Sequence, residues 1–305
     1  MAVAILVPGG GGLLGTELSR VCPPGDLLVA PKSHELDVTD PETTAAELGR
    51  FVAAAARRRL PAVVINAAAY TDTDAAESDR HRAFQVNALG PGHLAAACRA
   101  HGVPLVHVST DYVFDGTAGE PYEPSAPANP LNVYGQSKLA GERAVLGSGA
   151  RAWVVRTAWV YANHSANFVR TMARLEQERA EVSVVDDQTG SPTSAGDLAS
   201  GLLSLAAHVA EGAGPSARLL HYVNTGRASW YELAREVFAH LGADPRRVRP
   251  CTSAEFGSPA ARPACSVLSV RAWVEAGLPV PRPWTAALPE VVASLPDRGQ
   301  AAAAT

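Results

Sequence analysis

Residues 3–15 read Val-Ala-Ile-Leu-Val-Pro-Gly-Gly-Gly-Gly-Leu-Leu-Gly. The apolar run at 3–7 predicts a buried strand, and the stretch from Leu13 to Val21 predicts a helix. Between them lies a turn made almost wholly of glycine. A strand, a glycine turn and a helix in that order form the entry to a doubly wound α/β fold that binds a pyrophosphate. Glycine permits positive φ and lets the backbone approach a phosphate closely. The helix N-terminus then offers free N–H groups and the positive end of its dipole. Two spacings fit the loop. Gly10, Gly12 and Gly15 give GxGxxG; Gly9, Gly12 and Gly15 give GxxGxxG.

The pattern continues outward from the loop. Apolar β-type runs at 27–30, 62–66, 105–109 and 152–156 alternate with Ala-rich helical stretches at 43–58, 79–101 and 134–146. Runs such as Ala-Val-Val-Ile at 62–65 suit strands buried on both faces, which means a parallel sheet covered by helices. Right-handed crossovers then set its hand. After residue 157 the rhythm changes. Helices are expected at 167–179, 197–209, 229–241 and 284–295, and strands at 182–185 and 220–223. The stretch 246–283 is rich in Pro, Arg and Ser and lacks periodicity. The expected fold is therefore a Rossmann-type α/β domain with a smaller C-terminal substrate-binding lobe. Residues 1–157 form the dinucleotide-binding domain, to which 181–212 return. Residues 158–180 and 213–295 form the lobe, and 296–305 a frayed tail.

The 305 residues carry 26 Lys and Arg against 30 Asp and Glu, a net charge of −4. That excludes the basic footprint of a nucleic-acid binder or an anionic-membrane binder. No apolar run approaches the roughly 20 residues of a membrane helix. MAVAILVPGG has no cationic leader and reads as a first strand, so the expected location is the cytoplasm. Cys22, Cys98, Cys251 and Cys265 form no CxxC pair and no zinc spacing, which suits isolated thiols in a reducing compartment.

The end of the second strand reads Ala30-Pro31-Lys32-Ser33-His34, with no carboxylate to hold a ribose 2′-hydroxyl. Lys32 and His34 favour a 2′-phosphate instead, so NADPH is the expected cofactor and NADH the alternative. Asp37 either contacts the adenosine or starts a turn. Small residues after the third strand, Ala67, Ala68 and Ala69 before Tyr70 and Thr71, let a cofactor lie against the backbone.

Tyr134-Gly135-Gln136-Ser137-Lys138 is a YxxxK motif on an expected helix, so phenol and ammonium share a face. A fixed cation beside the phenol favours the phenolate, which makes Tyr134 a proton shuttle near neutral pH. Thr110 stands at the carboxyl end of the fourth strand, where its hydroxyl is placed to meet a carbonyl oxygen. Trp159 follows the fifth strand and is placed to stack on a sugar face.

Together the segments NAAAYTDTDAAESD (66–79), VHVSTDYVFDG (106–116), PLNVYGQSKLAGE (130–142), RTAWVYA (156–162) and DDQTGSPT (186–193) resemble the extended short-chain dehydrogenase/reductase superfamily. Within it they are most similar to the dTDP-4-dehydrorhamnose reductase family. The resemblance implies NAD(P)H-dependent reduction of the C4 ketone of a dTDP-4-keto-6-deoxyhexose, with dTDP-4-dehydro-L-rhamnose giving dTDP-L-rhamnose. It implies Tyr134 as proton donor, Lys138 as its partner, and Thr110 as the hydroxyl that tunes them. It places Gly12, Leu13 and Leu14 at the pyrophosphate, within the loop that Gly9 and Gly15 flank. It places Asp37 and Val38 toward the adenine side, and Ala69, Tyr70 and Thr71 with Val108 along the cofactor. Thr110, Asp111, Tyr134 and Trp159 would meet the sugar, and Arg262 the diphosphate. Some relatives bind Mg²⁺ through glutamates at a dimer interface. Glu17 and Glu290 match two of these positions, but Gly196 stands at the third, so no metal site is expected. The chain is expected to be a monomer or a homodimer.

Three other readings compete. A nucleotide-sugar epimerase or dehydratase would hold NAD⁺ tightly, usually with the strand-two acid that is absent here. A sister ketoreductase would act on another deoxysugar, as in antibiotic glycosylation. A non-catalytic regulatory subunit would have no need of Thr110, Tyr134 and Lys138 together.

Overall fold

The first half of the chain runs β1 (Ala4–Leu6), α1 (Leu13–Val21), β2 (Leu27–Val29), α2 (Pro41–Arg57), β3 (Ala62–Asn66), α3 (Thr73–Ser78), α4 (Arg80–Phe84), a π turn (Gln85–Leu89), α5 (Gly90–His101), β4 (Leu105–Thr110), α6 (Val133–Gly147) and β5 (Ala152–Thr157). The second half runs β6 (Val160–Tyr161), α7 (Phe168–Glu178), β7 (Val182–Val185), β8 (Thr189–Gly190), β9 (Thr193–Ser194), α8 (Ala195–Ala210), β10 (Leu219–His221), β11 (Ala228–Ser229), α9 (Trp230–His240), β12 (Val248–Cys251), α10 (Ser253–Phe256), α11 (Arg271–Glu275) and α12 (Trp284–Ala293). This computed structural model describes residues 2–296; the expected tail lies, from 297 onward, outside the described residues.

Six strands form one parallel sheet in the order β10-β5-β4-β3-β1-β2. From β1 the chain steps outward to β2, then returns past β1 to β3. The strand order reverses there, and the crevice at the carboxyl ends of β1 and β3 is where such sheets bind ligands. The apolar run at 3–7 serves both faces. Val3, Ile5 and Val7 pack with Leu18 of α1 and Leu198, Leu202 and Leu205 of α8. Ala4 and Leu6 face the opposite way, onto Leu48 and Phe51 of α2 and Cys98 of α5. Alternating side chains of a strand point to opposite faces, so a run without polar residues needs helices on both.

Several elements differ from the sequence expectation. The helix expected at 79–101 is broken into α4, a π turn and α5, and α3 precedes it. Asp79 ends α3 and caps α4 by accepting from Arg82 N, which separates the two. Strand β10 falls in the stretch expected to belong to the lobe, yet it pairs with β5 as the sixth strand of the sheet. Strand β7 falls in the stretch expected to return to the sheet, yet it pairs with β12. Helix α8 does pack on the sheet. Chain order alone does not reveal which strand supplies a pairing partner. A separate core of Val169, Met172, Val184, Leu233, Phe238, Trp284 and Leu288 unites α7, β7, α9 and α12.

Candidate active site

The glycine turn is shaped by close approach. Gly9 has φ +84°, and a Cβ there would lie 2.6 Å from Ala68 N. A Cβ at Gly10 would run into the Ala30 carbonyl oxygen, and one at Gly15 into that of Gly9. Gly12 is the N-cap of α1 and supplies no side chain to its first turn, which leaves the N–H groups there free of a side-chain cap. Gly12, Leu13 and Leu14 line a cavity of about 480 Å³, together with Ala67, Ala69, Thr71 and Val108. A backbone cradle that side chains would fill, opening onto an uncapped helix N-terminus, fits a dinucleotide pyrophosphate.

The remaining cofactor positions are placed differently. Ala68 backs Gly9, and Tyr70 is tied through its backbone: its N–H donates to Asn87 Oδ1 at 2.8 Å, and its carbonyl accepts from Asn87 Nδ2 at 3.0 Å. Asp37 turns on itself, its Oδ1 accepting from Thr39 N and Thr39 Oγ1 at 2.9 and 2.8 Å. Val38 is buried beside Leu36 and Leu94. Lys32 is exposed, with its Cγ against Gly11. Sequence reading found no carboxylate at the tip of β2. In the fold Glu35 curls back, and its Oε2 accepts from Lys32 N at 2.7 Å.

The same cavity is lined by Thr110, Asp111, Tyr134, Lys138 and Trp159. Thr110 ends β4, and Asn132 caps α6 by accepting from Gly135 N at 2.7 Å, which fixes the turn that carries Tyr134. Lys138 Nζ donates to the Val108 carbonyl at 2.7 Å. Asn87, which sequence reading passed over, also donates to Ser137 Oγ at 3.0 Å and so joins the 67–71 loop to α6.

The electrostatics correct one expectation. Lys138 does not draw Tyr134 toward phenolate. Burial pushes the phenol up to about 12, Thr110 hydrogen bonding works against this, and the Asp111 charge adds to it. Burial also lowers Lys138 to about 8, with Glu142 acting in the opposite sense. Tyr134 therefore keeps its proton at neutral pH.

Asp111 is buried at the wall of the cavity. Its Oδ2 accepts from Ser266 Oγ at 2.5 Å and its Oδ1 from Thr110 Oγ1 at 3.1 Å. Burial nevertheless raises its carboxyl from 3.8 to about 7. Between those values the unfolded chain holds fewer protons than the folded one, so this group's contribution to stability falls as pH rises through the window. Asp111→Asn is expected to gain urea resistance relative to the parent as pH goes from about 4 to about 7. A stability difference that stays constant over that range would contradict the assignment.

Trp159 and Trp230 stand together in the wall of the cavity. Arg262 does not line it. Its Nη2 and Nη1 bind Asp74 Oδ2 and Oδ1 at 2.8 and 3.1 Å, and its Nη1 also donates to the Ala260 carbonyl.

A second cavity of about 330 Å³ gathers Glu17, Gly196 and Glu290, the three positions to which the resemblance pointed for Mg²⁺. Glu17 Oε2 accepts from Arg20 Nη2 at 2.6 Å, and His164 Nε2 lies 2.8 Å from its Oε1. Both Glu290 oxygens are held by Arg282 at 2.7 Å, and Arg282 Nε donates to Asp197 Oδ2 at 2.8 Å. Guanidinium groups thus occupy the carboxylates. Among the described residues no group of three metal-ligating side chains is set to hold an ion. The residues do not fit magnesium. EDTA or added Mg²⁺ is expected to leave the melting temperature and gel-filtration volume of the apoprotein unchanged, and a magnesium-dependent shift in either would contradict this.

Residues 3–296 match the family described as the RmlD substrate binding domain. The chain belongs to the dTDP-4-dehydrorhamnose reductase family. It is 48% identical over 298 residues to a dTDP-4-dehydrorhamnose reductase of Mycobacterium tuberculosis, covering 95% of this chain and 92% of that protein. It is 44% identical over 285 residues to a dTDP-4-keto-6-deoxy-D-glucose reductase of Streptomyces niveus, covering 93% and 94%. A Bacillus anthracis dTDP-4-dehydrorhamnose reductase, solved in complex with NADP, superposes with a TM-score of 0.87 at 34% identity, covering 95% and 99%. The mainly parallel, helix-covered sheet is thus the fold of the dTDP-4-dehydrorhamnose reductase family. Among the described residues no helix is long and apolar enough to cross a membrane.

Proposed function

We propose that this chain reduces the C4 ketone of a dTDP-4-keto-6-deoxyhexose, with dTDP-4-dehydro-L-rhamnose giving dTDP-L-rhamnose, and does so with NADPH. The observation that carries the reading is the convergence of Tyr134, Lys138 and Thr110 on one cavity with the glycine cradle at its other end. The identity to family members across nearly the whole chain supports the same chemistry.

Gly12, Leu13 and Leu14 would hold the pyrophosphate, and Ala67, Ala69, Thr71 and Val108 would line the rest of the dinucleotide. When bound, it supplies the hydride that reduces the carbonyl carbon. As charge develops on the sugar oxygen, Tyr134 gives up its phenolic proton. A phenol held at about 12 keeps its proton against water at neutral pH and yields it to a stronger base, the alkoxide forming at C4. Lys138, fixed on the Val108 carbonyl in the wall of the same cavity, would hold the nicotinamide ribose. Thr110, whose hydroxyl donates to Asp111 Oδ1, is hydrogen-bonded to the Tyr134 phenol in the same cavity.

NADPH is preferred because Lys32 and His34 are exposed at the tip of β2, and because the Bacillus anthracis relative was solved with NADP. NADH is the alternative, and Glu35 at the same tip is the residue that would favour it. The Streptomyces niveus relative supports a second reading, the same chemistry on a different 4-ketosugar. We place the enzyme in the cytoplasm, where nucleotide sugars and reduced dinucleotides are made. The experiment is a steady-state assay with dTDP-4-dehydro-L-rhamnose and dTDP-4-keto-6-deoxy-D-glucose, each with NADPH and with NADH, the product sugar being read by NMR. Cofactor oxidation with neither ketone would overturn the reading.

A further inference from the structure

Trp159 has a backbone φ of +49°. This is the left-handed region, which bulky side chains avoid unless their surroundings hold them there. The indole of Trp159 lies flat on that of Trp230, with ring centroids 3.5 Å apart and planes 6° from parallel. Phe168 packs on Trp230 in turn, at 4.6 Å. Room for the Trp159 ring depends on Gly190, where a Cβ would come within 2.6 Å of Trp159 Cζ2.

The segment DDQTGSPT at 186–193 carries part of the family resemblance but contributes no group to the proton transfer. Its contacts converge on the two indoles. Gln188 Oε1 accepts from Trp230 Nε1 at 3.2 Å. Asp186 Oδ1 accepts from Ser229 Oγ at 2.6 Å, and Ser229 caps the helix that Trp230 begins. Strand β8 pairs antiparallel with β11, just before Trp230. Thr193 N donates to the Trp159 carbonyl at 3.2 Å.

We propose that Trp230, seated by the 186–193 segment, is a positioning residue that holds Trp159 in its strained pose, sandwiched against Gly190, as an apolar wall beside the ketosugar ring. The proposal rests on the reductase reading above and deepens it. Both indoles line the cavity beside Tyr134, so the wall stands at the ring being reduced. An apolar indole rim suits the C–H groups of a hexose, and stacking in the protein fixes that rim before the substrate arrives. Without its partner, Trp159 relaxes to an unstrained backbone and the wall is lost.

The test is calorimetric titration of the NADP⁺-loaded protein with dTDP-L-rhamnose and with dTDP, in the parent, Trp230→Ala, Trp159→Ala and the double variant. Trp230→Phe serves as the conservative control. Trp230→Ala is expected to weaken dTDP-L-rhamnose about tenfold, the upper range for an aromatic pair, while dTDP changes less than about twofold. Trp159→Ala should lose the same preference. The double variant should be no worse than Trp159→Ala, since Trp230 acts through Trp159. Trp230→Phe should recover most of the affinity. In turnover the loss should appear mainly in KM. If the parent binds dTDP-L-rhamnose no better than dTDP, the wall contributes nothing and the proposal is overturned, while the reductase reading is decided by the turnover assay above. If the parent shows the preference and Trp230→Ala keeps it, or if the two losses add, the proposal alone is overturned. Loss of both ligands in Trp230→Ala and Trp230→Phe alike would mark a general structural role and overturn it as well.

Discussion

Tyr134→Phe is expected to lower kcat by about 10²–10⁴-fold, the usual weight of a positioned proton transfer. Substrate and cofactor should still bind, because the substitution removes one oxygen and keeps the ring. The ring is held independently of its hydroxyl: Tyr112 packs edge-on against it at 5.9 Å, and the Asn132 cap fixes the first turn of α6. Burial holds the phenol protonated, and no described histidine lines the cavity to replace it. Single-turnover kinetics separate the chemical step from binding. A variant whose chemical step stays within about threefold of the parent would remove Tyr134 from the mechanism.

The second large effect concerns stability. Glu142 lies one turn beyond Lys138 on α6, and Arg156 of β5 grips it with Nε at 2.8 Å and Nη2 at 2.7 Å. Both side chains are 3% exposed. The pair ties α6 to the sheet, and Arg156 also lies over the Phe114 ring. Arg156→Met keeps the aliphatic stem but leaves a buried carboxylate without its hydrogen-bonded guanidinium. Such a break costs about 3–5 kcal/mol, against about 1 kcal/mol or less for an exposed pair. Urea unfolding at neutral pH should show a loss of the larger size. A loss in the range of an exposed pair would mean that Glu142 is not sealed from solvent. Glu142→Gln combined with Arg156→Met should recover part of the loss, since the neutral pair leaves no buried charge.

What the sequence made legible follows from local physics. The glycine turn could be read because its requirements are set by backbone atoms within a few residues and by the strands flanking it. The YxxxK pair could be read because helical periodicity places i and i+4 on one face. The inference from that spacing to a phenolate went too far. Helix geometry gives the shared face, but the solvent-excluded setting of Tyr134 and the hydrogen bond of Lys138 to the Val108 carbonyl arise from tertiary packing. Trp230 left no local signal, since it meets Trp159 only through the folding of the second lobe. Glu35 was hidden by a turn that brings it back onto Lys32. Arg262 looked available for a diphosphate because its partner, Asp74, is remote in sequence. The assignment of β7 and β10 to their layers failed for the same reason, as strand pairing is a long-range choice.

The most direct measurement is the fate of deuterium from NADPH labelled at the transferring position of nicotinamide C4, incubated with dTDP-4-dehydro-L-rhamnose and this protein. The account predicts one deuteron at C4 of the product sugar, with the same label absent when Tyr134→Phe replaces the parent over the same interval. A sugar that keeps its ketone, or one reduced at C4 without label, would contradict it.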